Sequence, residues 1–184
     1  MLPLTIDPMP IPNQVINLVS NLTQATNSGF SINNNQWLRS SFTTGGGSYG
    51  YTINSVTLRL AKLTANPNFF ISLYNAIPEG LGSQIASFTN PSFTLNTTND
   101  YIFTITTPQI LTANTTYWLV AGISGGSGQD FWGFTTSPDQ TGLPGWSIGN
   151  NSFYSSNQGD IWSNNFSITF SAFQFGVNGQ DHSL

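Results

Sequence analysis

YTINSVTLRL, residues 51–60, alternates apolar and polar residues as a strand does, but the alternation changes phase in its middle. Tyr51 and Ile53 share one parity, whereas Val56, Leu58 and Leu60 share the other. Successive side chains of a strand point to opposite faces, so an unbroken strand would turn one of these two sets to solvent. One extra residue near Asn54–Ser55, a β-bulge, returns both sets to a single core. FSITFSAFQFGV (166–177) poses the same problem, with Phe166, Ile168, Phe170 and Ala172 followed by Phe173, Phe175 and Val177. A second bulge near Ala172–Phe173, or a strand passing from one sheet to another, is expected there.

Around these two segments the dominant period is two. NFFISLYN (68–75) puts Phe69, Ile71 and Leu73 on one face, and DYIFTIT (100–106) does so with Tyr101, Phe103 and Ile105. TYWLVAGIS (116–124) is apolar on both faces, which marks a central strand with Trp118 as a core residue. Val15, Leu18, Val19 and Leu22 have helical spacing, but β-branched residues, asparagines and a Pro-rich lead-in favour a first strand near 17–23. Turn signals separate the runs: TTGGGSYG (43–50), TANPN (64–68), IPEGLGS (77–83), TNPS (89–92), SGGSGQD (124–130) and SPDQTGLPG (137–145). The pattern predicts an all-β chain without substantial helix, an antiparallel β-sandwich of jelly-roll-like topology with roughly eight to ten strands. Residues 1–13 read as an extended N-terminal arm, 14–177 as one sandwich domain and 178–184 as a C-terminal tail.

Composition narrows the partners. Charged residues make up 5% of the 184, against about 25% in an ordinary soluble domain. Three basic residues, Arg39, Arg59 and Lys62, are too few to neutralise a run of phosphates or to hold an anionic membrane surface. No apolar run reaches the roughly 18 residues of a membrane span, so neither nucleic-acid binding nor membrane insertion is expected. The opening MLPLTIDPMPIP lacks the basic and continuous apolar regions of a secretory leader. With no cysteine, the chain has no disulfide, thiolate metal site or cysteine nucleophile.

Catalytic groups are sparse. The sole histidine, His182, lies three residues from the end, and no two of the seven acids fall in a motif that would set glycosidase carboxyls about 5–10 Å apart. Asp130, Asp139 and Asp160 sit in the loop sequences GSGQDF, SPDQTG and NQGDIW, where a jelly roll could gather them around Ca²⁺. Their alternative role is ordinary turn formation. Large rings crowd the polar stretch GWSIGNNSFYSSNQGDIWSNN (145–165). Trp146, Phe153, Tyr154 and Trp162 either fold inward to close one end of the sandwich or, joined by Trp132, form a platform for the C–H face of a sugar.

Several phrases, LVSNL (18–22), SFTTG (41–45), YTINSVTLRL (51–60), LTANTTYWLV (111–120), GWSIGN (145–150) and FQFGVNG (173–179), occur in this order in a bacterial surface family. The chain resembles the choice-of-anchor R domain of cyanobacterial and other bacterial exported proteins. The resemblance implies an extracellular or cell-surface all-β domain and supplies no catalytic residue. The resulting expectation is a non-catalytic binding or adhesion module for a neutral polysaccharide or surface glycan, with Trp132, Trp146, Tyr154, Asp160 and Trp162 as ligand residues. The alternative is a structural surface protein that associates with itself by exchange of a strand or of the arm.

Overall fold

A computed structural model describes residues 14–77, 80–164 and 172–182. All regular structure there is strand: β1 (Ile16–Ser20), β2 (Ser28–Asn33), β3 (Trp37–Thr43), β4 (Tyr51–Lys62), β5 (Phe69–Ile77), β6 (Gly80–Ser87), β7 (Thr97–Leu111), β8 (Thr116–Ile123), β9 (Gln129–Thr135), β10 (Thr141–Gly142), β11 (Ser147–Ser155), β12 (Ala172–Phe173) and β13 (Phe175–Asp181). The count exceeds the expected one partly because β10 and β12 are two-residue pairings. Two antiparallel sheets pack face to face as a β-sandwich. One runs β10-β1-β13-β4-β9-β12, with β2 beside β9 and β7 beside β4; the other runs β11-β3-β8-β5-β6.

The phase change in β4 is resolved as the sequence demands. Asn178 pairs with Ser55 and Gly179 with Ile53, so β4 carries Asn54 as an extra residue against β13. With that bulge in place Tyr51, Ile53, Val56, Leu58 and Leu60 are all buried in the same core.

The second break falls at Gln174, one residue beyond the expected Ala172–Phe173. Phe173 pairs with Phe134 of β9, while Phe175 pairs with Leu58 of β4. The chain therefore enters the first sheet as a wedge where β4 and β9 part, and Gln174 stands at the fork. Its backbone N–H donates to the Gly133 carbonyl (2.8 Å), and its own carbonyl accepts from the Arg59 N–H (3.2 Å) and the Trp132 indole (2.9 Å). Its fully buried amide accepts from Thr26 (2.6 Å) and donates to the Gln24 carbonyl (2.8 Å). Residues 166–171 of the original segment lie outside the described residues.

The last strand continues past the expected domain boundary at residue 177. β13 runs to Asp181, opposite Tyr51, and the His182 side chain reaches the Thr52 hydroxyl. Residues 178–181 are therefore strand and not tail, because the bulged start of β4 offers them a free ladder edge.

Candidate functional site

The outward face of the second sheet departs from the polar pattern of a solvated sheet. In β3, Leu38 and Phe42 enter the core, which sends Arg39 and Ser41 outward. Arg39 lies opposite Phe153 of β11 on one side and Val120 of β8 on the other. Trp118 pairs with Ser41, which makes it the diagonal neighbour of Arg39 on the same face. The Arg39 guanidinium carbon is 4.4 Å from the ring centroids of both Trp118 and Phe153, and 4.7 Å from that of Trp162. Trp118 and Phe153 meet edge to face at 5.5 Å.

Arg39 is only 4% exposed, and among the described residues no carboxylate pairs with it. Among the described residues its Nε and Nη1 meet no acceptor, nor do the indole nitrogens of Trp118 and Trp162. The other two cations are matched: Arg59 grips Asp100 through two bonds of 2.7 and 2.8 Å, and Lys62 bonds Asp130. Burial disfavours the charged guanidinium and pulls the Arg39 pKa down to about 10.

Trp162 is delivered by a clamped loop. The backbones of Tyr154 and Ser163 exchange hydrogen bonds of 2.9 and 2.8 Å, closing the segment between them. Inside it the Ser155 hydroxyl accepts from the Gly159 N–H (2.8 Å), and the Asn157 carboxamide oxygen accepts from the Ile161 N–H (2.9 Å). Gly159, at φ +96°, lets the backbone lie against Trp37, where a methyl would come within about 3 Å of the ring. Polar loop residues are thus the scaffold that fixes a large ring.

These elements, with the end of β5 and the start of β6, border an open cleft of about 870 Å³ lined by Arg39, Trp118, Phe153, Asp160, Ile161 and Trp162 among others. That size lies in the range of small-ligand sites, and the mixture of rings with a few polar groups is characteristic of them.

Of the residues expected from sequence to form a platform, Trp162 and Asp160 line this cleft. Three others do not join them. Trp132 is fully buried, stacked on Phe173 at 4.8 Å and tied through its indole to the Gln174 carbonyl. Trp146 is buried between Phe42 (5.9 Å, stacked) and Tyr51 (4.8 Å, edge-on). Tyr154, half-buried, packs against the core. The reason is parity: Phe153 and Tyr154 are consecutive on β11, so one must face out and the other in. Trp118 is buried, yet on the outward face and not between the sheets.

The three loop aspartates do not converge. Asp130 is fully buried on Lys62 and also accepts from the Leu63 and Thr64 N–H groups at 2.9 and 3.1 Å. Asp139 lines a different groove beside Gln140 and Asn150, and Asp160 belongs to the Arg39 cleft. Among the described residues no three His, Cys, Asp or Glu gather to hold an ion, so these aspartates do not fit a shared Ca²⁺ site. Phe153, one of the candidate platform rings though not of the expected ligand residues, lines the cleft as well. Arg39 was absent from the expected set, although its shared parity with Ser41 in WLRSSFT (37–43) marks an outward position that ought to be solvated.

No protein-family model matches the chain, and none of the curated proteins compared with it is significantly similar. The functional reading therefore stands on the cleft itself.

Proposed function

We propose that the domain is a non-catalytic, extracellular binding or adhesion module that takes a saccharide in the cleft over its second sheet. The observation that carries this reading is Trp162. It is a half-buried indole with an unmatched N–H, held at the cleft wall by a hydrogen-bonded loop beside the exposed carboxylate Asp160. A ring face for sugar C–H groups next to acceptors for sugar hydroxyls suits a saccharide. The low charge of the chain suits one that is largely neutral along its length. Surface location comes from the resemblance to exported bacterial domains.

The test is a glycan array read with intact protein and with Trp162→Ala. Specific binding by the first and none by the second, with unchanged thermal unfolding, is the expected result. A blank array for the intact protein would withdraw the reading.

A second reading, self-association, draws on β7. This strand is 15 residues long, and among the described residues its edge away from β4 meets only the single bridge Thr89–Thr104. Ile102 and Ile110 on it are exposed. A long edge with so little charge offers a template for strand addition. Light scattering across a concentration series distinguishes the two: a concentration-dependent dimer abolished by Ile110→Lys supports assembly.

A further inference from the structure

The cleft contains a buried cation that no carboxylate among the described residues pairs with, which a neutral sugar does not require. Arg39 is one of three basic residues in the chain, and the other two rest on aspartates. The rings around it supply electrostatic attraction through their faces, but a ring face does not replace an acceptor for every N–H. Four donors, Arg39 Nε and Nη1 with the indole nitrogens of Trp118 and Trp162, are left unmatched around one cleft. Packing alone gives no reason for this, because an aliphatic side chain at position 39 would fill the ring cage without the desolvation cost. An oxyanion would satisfy the charge and accept from the donors together.

Resting on the saccharide reading of the same cleft, we infer that its ligand is an acidic saccharide whose carboxylate or sulfate is seated against Arg39. Asp160 on the exposed side of the cleft accepts from neutral hydroxyls and repels a second anion. The net charge of −4 likewise disfavours dense polyanions. The favoured ligand therefore carries one acidic residue at the binding position, flanked by neutral sugars. A pair formed on a buried guanidinium is screened weakly by salt, so affinity falls little between low and physiological ionic strength.

The experiment titrates the intact protein, by calorimetry and tryptophan fluorescence, with uronate-containing oligosaccharides and their methyl esters, and with sulfated sugars and their desulfated forms. The expected result is at least a tenfold preference for one acid over its neutral partner. Arg39→Met should erase that preference, with its fold checked by thermal unfolding, and Arg39→Lys should restore it in part. Equal affinity for acid and ester overturns the inference while leaving the saccharide reading intact, provided that binding is lost in Trp162→Ala. Binding of free acetate or sulfate as tightly as the acidic sugar overturns it too. No binding by any saccharide, acidic or neutral, removes both readings.

Discussion

Lys62 donates to Asp130 between the two sheets, and neither side chain meets solvent. The ammonium also lies 4.1 Å from the Phe69 ring centroid and 4.3 Å from that of Phe93, so it is enclosed by the carboxylate and two aromatic faces. A pair like this commits each member to the other. Asp130→Asn should leave an uncompensated buried ammonium and cost about 3–5 kcal/mol in urea unfolding. The double replacement Lys62→Met with Asp130→Leu should recover only part of that loss: the apolar pair needs no partner, but the Leu63 and Thr64 N–H groups lose their acceptor. A small effect of Asp130→Asn alone would mean that the pair is solvated.

Asn21 continues β1 by means of its side chain. It donates to the Phe173 carbonyl (2.9 Å) and accepts from the Phe175 N–H (2.8 Å), spanning the fork at Gln174 where no strand residue is available to pair. Asn21→Ala would take a donor from the Phe173 carbonyl and the acceptor from the buried Phe175 N–H. A buried N–H left without its acceptor costs about 1–3 kcal/mol, and a loss of at least that size is expected. Asn21→Asp keeps the acceptor alone and should fall between. Hydrogen exchange at the Phe175 amide reads the same contact locally and should quicken in Asn21→Ala, which removes its acceptor, more than in Asn21→Asp, which keeps it.

The parts of this fold that were legible in sequence are those set by local alternation. Tyr51, Ile53, Val56 and Leu58 cannot share a core without an extra residue, so the bulge at Asn54 could be placed within a residue from pattern alone. The two-sheet architecture followed from the same logic, whereas the first strand, expected near 17–23 on propensity against a helical spacing, lies at Ile16–Ser20. The destinations of rings in the polar loops were not legible. Trp132, Trp146 and Trp162 have similar Gly- and Ser-rich surroundings, yet two join the core and one covers Arg39. What separates them is strand parity and partners far away in the chain, such as the Trp132 indole on Gln174, 42 residues on. The same holds for Asp130, which as a loop acid suggests turn or metal chemistry until Lys62, 68 residues earlier, is brought against it.

Trp162 stands on a loop whose order rests on Ser155 and Asn157, so the ring and its scaffold can be separated by experiment. Trp162→Ala should weaken ligand binding by about 2 kcal/mol or more, roughly 30-fold, as expected of a central aromatic contact. Its effect on stability should be modest because the ring is half exposed. Asn157→Ala removes the acceptor for the Ile161 N–H and should loosen the loop. It should weaken binding mainly through a faster off-rate, with ring chemistry unchanged. If Asn157→Ala leaves both affinity and off-rate untouched, the loop does not position Trp162.

Arg39 links the stability of the fold to its proposed binding role with opposite signs. Below the pH at which the folded guanidinium titrates, both folded and unfolded chains carry the charge, and the folded one bears the cost of burying it. Arg39→Met fits among the same rings without that cost and should stabilise the protein by about 1–3 kcal/mol, seen as a Tm rise of roughly 2–4 °C per kcal/mol. Because the folded pKa is lowered to about 10, the folded protein releases this proton before the unfolded chain does, and its stability rises with pH from there upward. The advantage of Arg39→Met should therefore be constant across neutral pH and shrink as pH rises through about 10. Thermal unfolding of both proteins over that range measures the difference directly. A variant that is less stable than the parent at neutral pH would show instead that the cation–π contacts outweigh the desolvation of the charge, and that Arg39 serves to hold Trp118, Phe153 and Trp162 together.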